Sequence, residues 1–219
     1  MPRPITARAR EPRSDRSRAL VVLTHGFMAN HWMLTPLALR LRRLGWRTRC
    51  WGYESWRTSV TVHAAAFAGM LRTADDDPDI DALHLVTHSM GCIIARAALD
   101  MYRPAKLGRF VMLAPPNRGS FVATAMARVV GRLLAPVSEL TTHDGSLVNS
   151  IPQPEDIEIG VIAAGRDALV SLEATRLDVP HEHATLPCLH SSLLFRRDAA
   201  RLVAAFLATG SFETERRPP

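Results

Sequence analysis

The chain has 219 residues, of which 47% are hydrophobic, and its formal net charge is +6 from 27 basic and 21 acidic residues. This length favours one domain with a substantial core, and no apolar run approaches the ~18 residues expected of a transmembrane helix. Much of the charge lies in residues 1–18, where six arginines oppose Glu11 and Asp15. No aromatic or glycine-rich pattern accompanies them, so we expect a disordered basic tail and no nucleic-acid partner.

Strands and helices alternate along the chain from residue 19 onward. An apolar run predicts a first strand at 19–23, and Pro36 and Gly45 bound a helix at 35–44. A strand at 46–51, an alanine-rich helix at 61–71, a strand at 82–86, a helix from 90 to about 101 and a strand at 109–113 follow. This alternation predicts an α/β fold, with helices on both faces of a mostly parallel sheet.

The alternation stops over residues 116–150 and then resumes. A strand is predicted at 157–164, a short apolar piece at 184–186 and a last helix at 198–207, giving a sheet of about six strands. Apolar residues recur at helical spacing after Ser120, so residues 117–150 are interpreted as a cap-like insertion, although the same stripe also fits core packing. The domain is placed at 19–210, between a tail at 1–18 and a disordered tail at 211–219.

The three cysteines, Cys50, Cys92 and Cys188, are odd in number and widely spaced. They form neither a disulfide framework nor a metal-binding spacing, so we expect free thiols in a reducing compartment. The arginine-rich start is not followed by a secretory signal pattern, and a cytoplasmic location is therefore expected.

The stretch Thr87-His88-Ser89-Met90-Gly91 lies between a buried strand and a helix. A serine between small residues in a sharp strand-to-helix turn is typical of a nucleophile elbow, which holds the hydroxyl out at the end of a sheet. The usual pattern begins with glycine, and Thr87 stands in that place. The alternative interpretation is an ordinary turn in which Ser89 caps the helix.

In parallel sheets, the binding and catalytic residues usually lie in loops beyond the carboxyl ends of the strands. Three predicted loops fall there: 25–28 after the first strand, the serine turn, and 165–167 after the strand that ends at Ala164. We therefore expect these loops to share one edge of the sheet.

Three segments together resemble the α/β-hydrolase superfamily, and within it compact bacterial lipases and esterases: Thr24-His25-Gly26-Phe27, Thr87-His88-Ser89-Met90-Gly91 and Leu113-Ala114-Pro115-Pro116-Asn117-Arg118-Gly119-Ser120. The resemblance covers roughly residues 19–208. It implies an α/β-hydrolase fold with a shortened sheet, and a serine, a histidine and an acid that act in that chain order.

On this resemblance Ser89 is the expected nucleophile, His190 the base and Asp167 the acid. Asp167 follows its strand in a strand-Gly-x-Asp arrangement, and His190 lies in the loop before the last helix. Asp178 is the alternative acid, and Asp144, in the insertion, is less favoured.

The resemblance also implies an oxyanion hole made by the backbone N–H groups of Phe27 and Met90. His25 and His88 should line the site without serving as base. Trp32 is expected to border the pocket, whereas the three tryptophans that follow it are expected in packing: Trp46, Trp51 and Trp56.

His181 and His183 form a His-x-His pair without a third ligand at suitable spacing, so neither a metal nor another cofactor is expected.

The favoured hypothesis is a serine hydrolase that cleaves carboxylic esters, lipid-like or with short to medium acyl chains, through an acyl-enzyme. Thioesterase or amidase activity would use the same residues. A binding protein with a degraded site is the alternative, and Thr87 is its sequence support. The oligomeric state and the physiological substrate are left open.

Overall fold

The computed structural model describes residues 15–56, 58–118 and 150–213. Within these ranges the strands are β1 (Ala19–Thr24), β2 (Arg47–Trp51), β3 (Ala82–His88), β4 (Leu107–Leu113), β5 (Ile159–Ala164) and β6 (Glu182–Leu186). The α-helices are α1 (Thr35–Arg43), α2 (Val60–Asp75), α3 (Met90–Met101) and α4 (Arg197–Thr209). Short 3-10 helices lie at Asp15–Ser17, His31–Leu34, Glu173–Thr175 and His190–Phe195.

The described strands form one sheet in the order β2-β1-β3-β4-β5-β6, and every neighbouring pair is parallel. The predicted α/β fold, a shortened parallel sheet of about six strands with helices on both faces, is confirmed. Because the strands are parallel, their carboxyl ends meet at one edge of the sheet, called here the carboxyl edge. The loops after β1, β3, β5 and β6 all open at that edge.

The helix ends follow local sequence signals. Pro36 lies in the first turn of α1, where its missing N–H has no helical partner to lose, and Gly45 follows that helix with a φ of 92°. Ser59 caps α2 by accepting a hydrogen bond from the Val62 N–H at 3.3 Å. Gly210 ends α4 with a φ of 77°, which glycine adopts without steric cost.

The core consists of two layers separated by the sheet. The buried faces of α2 and α3 pack on one side, and those of α1 and α4 pack on the other. Phe67 of α2 and Phe206 of α4 are each fully buried in their layer. Burial of a side chain of this size contributes roughly 1.5–3 kcal/mol, so packing on both faces stabilises the sheet.

The strand β6 is longer than the short apolar piece that the sequence predicts. Its residues are only partly buried, because β6 is the last strand of the sheet and pairs only with β5. An edge strand tolerates polar residues such as Glu182 and His183. Because these two residues interrupt the apolar run, the sequence predicts only the last part of the strand.

The packed domain extends slightly beyond the predicted boundaries. Arg18 donates to the Asp81 carboxylate, and the Arg16 guanidinium lies 4.9 Å from the centre of the Trp46 ring. At the other end the Phe212 ring lies 5.1 Å from that of Phe206. Residues 15–18 and 211–213, which the sequence assigns to the tails, thus pack on the domain.

Most of the predicted insertion, residues 119–149, lies outside the described residues, as do residues 1–14 and 214–219. The predicted cap at 117–150 and its Ser120 and Asp144 therefore stay predictions. Among the described helices, none combines the length and the apolar character needed to cross a bilayer.

Candidate active site

Ser89 occupies the turn between β3 and α3 with a φ of 54° and a ψ of −125°. A positive φ is uncommon for a non-glycine residue and is a feature of strained functional turns. The turn is held by hydrogen bonds from the Ser89 N–H to the Leu113 carbonyl and from the Cys92 N–H to the Ser89 carbonyl, both 2.9 Å. The Ser89 side chain makes no capping bond to α3, so the interpretation of this serine as a helix cap is wrong.

Thr87 fits the turn in place of glycine because of Cys92, a residue in the first turn of the helix that follows. Its side chain is fully buried, and its hydroxyl donates to the Cys92 sulfur at 3.1 Å. The small Cys92 side chain leaves room for the threonine and satisfies its hydroxyl. Gly91 has no such freedom, because a Cβ there would lie 2.4 Å from the His25 carbonyl oxygen. A threonine at position 87, where the usual pattern has glycine, is thus compatible with close packing of α3 against the sheet.

The loop after β1 lies directly against Ser89. A Cβ on Gly26 would stand 2.7 Å from the Ser89 Cβ and 3.2 Å from its Oγ. Phe27 follows in the turn, and Met90 is the buried first residue of α3. The N–H groups in the first turn of a helix have no partner within the helix. The loop at Gly26-Phe27, which packs against Ser89, and Met90, which follows Ser89 in the chain, are therefore the two segments whose backbone N–H groups lie nearest to the serine.

His25 fixes the peptide that joins Gly26 to Phe27. The His25 Nε2 accepts a hydrogen bond from the Tyr53 N–H at 3.3 Å, so the ring proton is on Nδ1, which donates to the Gly26 carbonyl at 2.9 Å. Burial lowers the pKa of His25, which keeps the ring neutral as this arrangement requires. No described peptide is cis, so the Phe27 N–H points away from the His25 ring.

Asp167 and His190 form a buried acid–base pair at the carboxyl edge. The Asp167 Oδ2 lies 2.6 Å from the His190 Nδ1, and the two side chains are 2% and 10% exposed. The other Asp167 oxygen accepts the N–H groups of Leu169 and Val170 at 2.8 and 3.0 Å. Burial alone would raise the pKa of Asp167, but the hydrogen bond from His190, its charge and the two backbone N–H groups outweigh it and hold that pKa below its usual range.

Asp178, the alternative acid, lies in a different network. One of its oxygens accepts from Arg118 at 2.5 Å and the other from Gln153 at 2.7 Å, and its side chain is 68% exposed. Among the described contacts it makes none with His190. The geometry therefore favours Asp167 as the partner of the histidine.

His88 connects the serine turn with the His190 loop. Its ring centre lies 4.9 Å from that of His190, and its Nε2 lies 3.4 Å from the His190 carbonyl oxygen. Complete burial, together with the neighbouring His190, lowers the pKa of His88 to about 3, so His88 is neutral and donates Nε2–H to that carbonyl. The residue directly before Ser89 thus contacts the segment that carries His190.

The His-x-His pair is accounted for by contacts at the edge strand. The His183 Nε2 lies 2.9 Å from the Thr175 hydroxyl oxygen, and the His181 Nδ1 donates to the Val179 carbonyl at 2.8 Å. No group of residues suited to a metal ion occurs in the described parts of the chain.

Tyr53 is the residue near the site that sequence reasoning missed. Its ring stacks on that of His25 with centres 4.3 Å apart, and its hydroxyl donates to the His25 carbonyl at 2.7 Å. It follows β2 in a loop without a motif, so only the adjacency of β2 and β1 in the sheet could have indicated it.

Comparison with known proteins agrees with this architecture. The sequence model of the alpha/beta hydrolase family matches residues 21–215. The solved structures similar to this chain include the mature lipase BlEst2 of Bacillus licheniformis, with 16% identity, a TM-score of 0.69 and coverage of 93% of this chain and 96% of that one. The esterase Pf2001 of Pyrococcus furiosus has 19% identity, a TM-score of 0.61 and coverage of 88% and 83%.

Lipase B of Aspergillus fumigatus is also similar, with 12% identity and a TM-score of 0.73, and the match covers 94% of this chain but 57% of the lipase. No curated protein matches the sequence. At these identities the structural likeness is a likeness of fold.

Proposed function

The chain belongs to the alpha/beta hydrolase family, and on that premise we propose that it is a serine hydrolase that cleaves carboxylic esters through an acyl-enzyme intermediate. The observation that carries the proposal is the buried Asp167–His190 pair, with Oδ2 and Nδ1 2.6 Å apart, at the edge where Ser89 sits in its strained turn. A nucleophile, a base and an acid that orients the base are the groups that acyl transfer requires.

In the first half of the reaction the Ser89 Oγ attacks the ester carbonyl carbon and its proton passes to the His190 Nε2. Asp167 holds the other ring nitrogen protonated, which leaves the Nε2 lone pair for this proton and stabilises the imidazolium that forms. The carbonyl oxygen becomes an oxyanion, and the N–H groups of Phe27 and Met90 are the proposed donors to it. Preplaced donors of this kind contribute on the order of 10²–10³ each in kcat.

The tetrahedral intermediate then collapses, and the bond to the leaving alcohol oxygen breaks as that oxygen takes the proton from His190. The acyl group remains on Ser89. A water molecule attacks it in the second half, giving its proton to His190, and the carboxylic acid leaves as Ser89 regains a proton. Each proton accepted by His190 is thus returned within the same half of the cycle.

Exposed apolar side chains support a lipid-like or acyl-bearing substrate. Seven of the ten large apolar side chains that are exposed in the described residues lie in the segments that follow a strand at its carboxyl end: Met28, Trp32, Trp56, Leu169, Leu172, Leu189 and Phe195. Trp32, expected to border the pocket, is 71% exposed, and Trp56, expected in packing, is 49% exposed. Apolar groups left in water around a site favour a ligand that covers them.

Two alternative functions are cleavage of thioesters or amides and ligand binding without catalysis, and different observations bear on each. Thioesters and amides would be cleaved by the same groups, and the geometry does not separate them from oxygen esters. Thr87 is the only sequence feature that suggests a non-catalytic binding protein. The Thr87–Cys92 contact supports the hydrolase, because the turn accommodates the threonine while Ser89 keeps its positive φ.

A fluorophosphonate probe tests the proposal, because it reacts with an activated serine. We expect labelling of the wild type and none of Ser89→Ala. Ser191→Ala is the matched control, since Ser191 is an exposed serine next to His190 and should leave labelling intact. An unlabelled wild type, or labelling that survives Ser89→Ala, contradicts the proposal. A p-nitrophenyl ester chain-length series then identifies the preferred acyl group.

A further inference from the structure

Four arginines from two helices line one groove on the surface. A space of about 290 Å³ is lined by Arg40 and Arg43 of α1, by Arg197 and Arg201 of α4, and by Leu44 and Ala200. Arg43, Arg197 and Arg201 are exposed and Arg40 is half-buried. The groove is separate from the Ser89 turn, and it begins close to the His190–Phe195 helix, because Arg197 is the first residue of α4.

No carboxylate of the described residues neutralises these arginines. None of the four takes part in a salt bridge there, and the acid nearest in sequence, Asp198, is held by Arg196. One nitrogen of Arg40, Nη1, is buried and has no hydrogen-bond partner among the described groups. The N–H donors of the other three arginines are exposed, and an acceptor supplied from outside the chain can reach them.

Helix electrostatics accounts for two of the arginines and not for the others. Arg40 and Arg43 lie in the last turn of α1, where the negative end of the helix dipole favours cations. Arg197 is the first residue of α4, where the positive end of the dipole disfavours a cation, and Arg201 follows one turn later. The α4 end therefore adds to the positive potential of the groove instead of offsetting it.

We propose that this groove binds the phosphate group of a small anionic ester, either a soluble phosphomonoester or a lipid headgroup. Guanidinium groups present paired N–H donors that match phosphate oxygens, and a phosphate can accept from several of them at once. The volume is near the lower limit of ligand pockets, about 300 Å³, which suits a headgroup better than a large ligand. The proposal does not depend on the hydrolase activity proposed above.

The test compares pairs of charge-removing variants. Arg197→Gln with Arg201→Gln removes the α4 side of the groove, and Arg40→Gln with Arg43→Gln removes the α1 side. Arg47→Gln with Arg49→Gln is the control, since both are exposed on β2 outside the groove and the net charge changes equally. Arg197→Lys with Arg201→Lys keeps the charge but loses the paired donors.

Two probes distinguish the sources of the phosphate. Glycerol 3-phosphate is titrated by calorimetry at low salt, and phosphatidylcholine vesicles with and without phosphatidic acid are tested by co-sedimentation. We expect either groove pair to weaken binding of at least one probe by at least about tenfold, the lysine pair to weaken it less, and the control pair to leave it near wild type. Thermal unfolding checks that each variant is folded.

Binding of glycerol 3-phosphate that the groove pairs abolish supports a soluble ligand, and binding confined to phosphatidic acid vesicles supports a headgroup. An equal loss in the control pair would mean that the surface attracts anions without a site and would overturn the proposal. Absence of binding of both probes to the wild type would overturn it as well.

Discussion

Tyr53 holds His25 from two directions, since its N–H donates to the His25 Nε2 at 3.3 Å and its hydroxyl donates to the His25 carbonyl at 2.7 Å. Burial raises the pKa of Tyr53 well above its usual value, so the hydroxyl stays protonated and remains a donor. The ring of His25 in turn fixes the Gly26 carbonyl, and with it the direction of the Phe27 N–H. A residue after β2 thus controls a proposed oxyanion donor after β1.

We expect His25→Ala to lower kcat on the order of 10²–10³, the cost of losing one oxyanion donor, with a smaller change in KM. His25→Asn should recover part of this loss, because the amide nitrogen can take the place of Nδ1. Tyr53→Phe keeps the stacked ring and should show a smaller loss than His25→Ala. Steady-state kinetics on a p-nitrophenyl ester measures all three, and a change in KM alone would show that His25 serves binding instead.

Asp167→Asn is expected to lower kcat by up to ~10⁴. The asparagine keeps the shape of the side chain, but it cannot stabilise the imidazolium and can fix the wrong tautomer of His190. Asp178→Asn is the matched control, since Asp178 bonds to Arg118 and Gln153 on the surface, and it should leave kcat near wild type. The reverse pattern in the two variants would move the acid to Asp178.

Gly26→Ala should lower kcat by about 10² or more. Its Cβ would stand 2.7 Å from the Ser89 Cβ, so either the loop or the serine must shift, and a displacement of about 1 Å in a site costs that much. Gly69→Ala is the control, because a Cβ there meets nothing within 4 Å on the exposed face of α2, and it should stabilise the fold by about 0.5–1 kcal/mol. Wild-type kinetics of Gly26→Ala would show that the loop after β1 is not packed on Ser89 during turnover.

Asp75 should contribute stability that depends on pH. Its carboxylate accepts the N–H groups of Ala105 and Lys106 and the Tyr102 hydroxyl. Burial opposes ionisation, but these bonds outweigh it and lower the pKa of Asp75. A lowered folded-state pKa gives stability that is present above the unfolded value, about 3.9, and is lost as pH falls through the folded value.

Asp75→Asn should therefore unfold at lower urea concentration than wild type at pH 6, and the difference should shrink towards pH 3. Urea titrations at both pH values measure this. A difference that does not change with pH would assign the effect to packing and not to the carboxylate.

The loops that meet at the carboxyl edge could be predicted from the sequence, because each of them directly follows an apolar run that forms a strand. Ser89, Asp167 and the loop of Phe27 all follow such runs, and in a parallel sheet this determines the edge on which they meet. The Asp167–His190 pairing relied on family resemblance, since two residues in separate loops carry no local signal of their contact.

Other features could not be predicted because they depend on residues that only the fold brings together. The accommodation of Thr87 depends on the way the turn brings its side chain onto Cys92 at the start of α3. The arginine groove is formed by the end of α1 and the start of α4, which are more than 150 residues apart in the sequence. Because basic and acidic residues are nearly balanced beyond the N-terminal tail, the sequence gives no sign of this local excess of positive charge. Tyr53 belongs to no motif and reaches the site only because β2 pairs with β1.

Because Cys92 is buried against Thr87 in the serine turn, its reactivity can report transient opening of that turn. Burial raises the pKa of the Cys92 thiol to about 12, so at neutral pH almost none of it is the thiolate that reacts with alkylating agents. Reaction of Cys92 with iodoacetamide then requires that the elbow open and expose it. The rate of its alkylation, followed by mass spectrometry, would report how often the serine turn comes apart in the otherwise native protein.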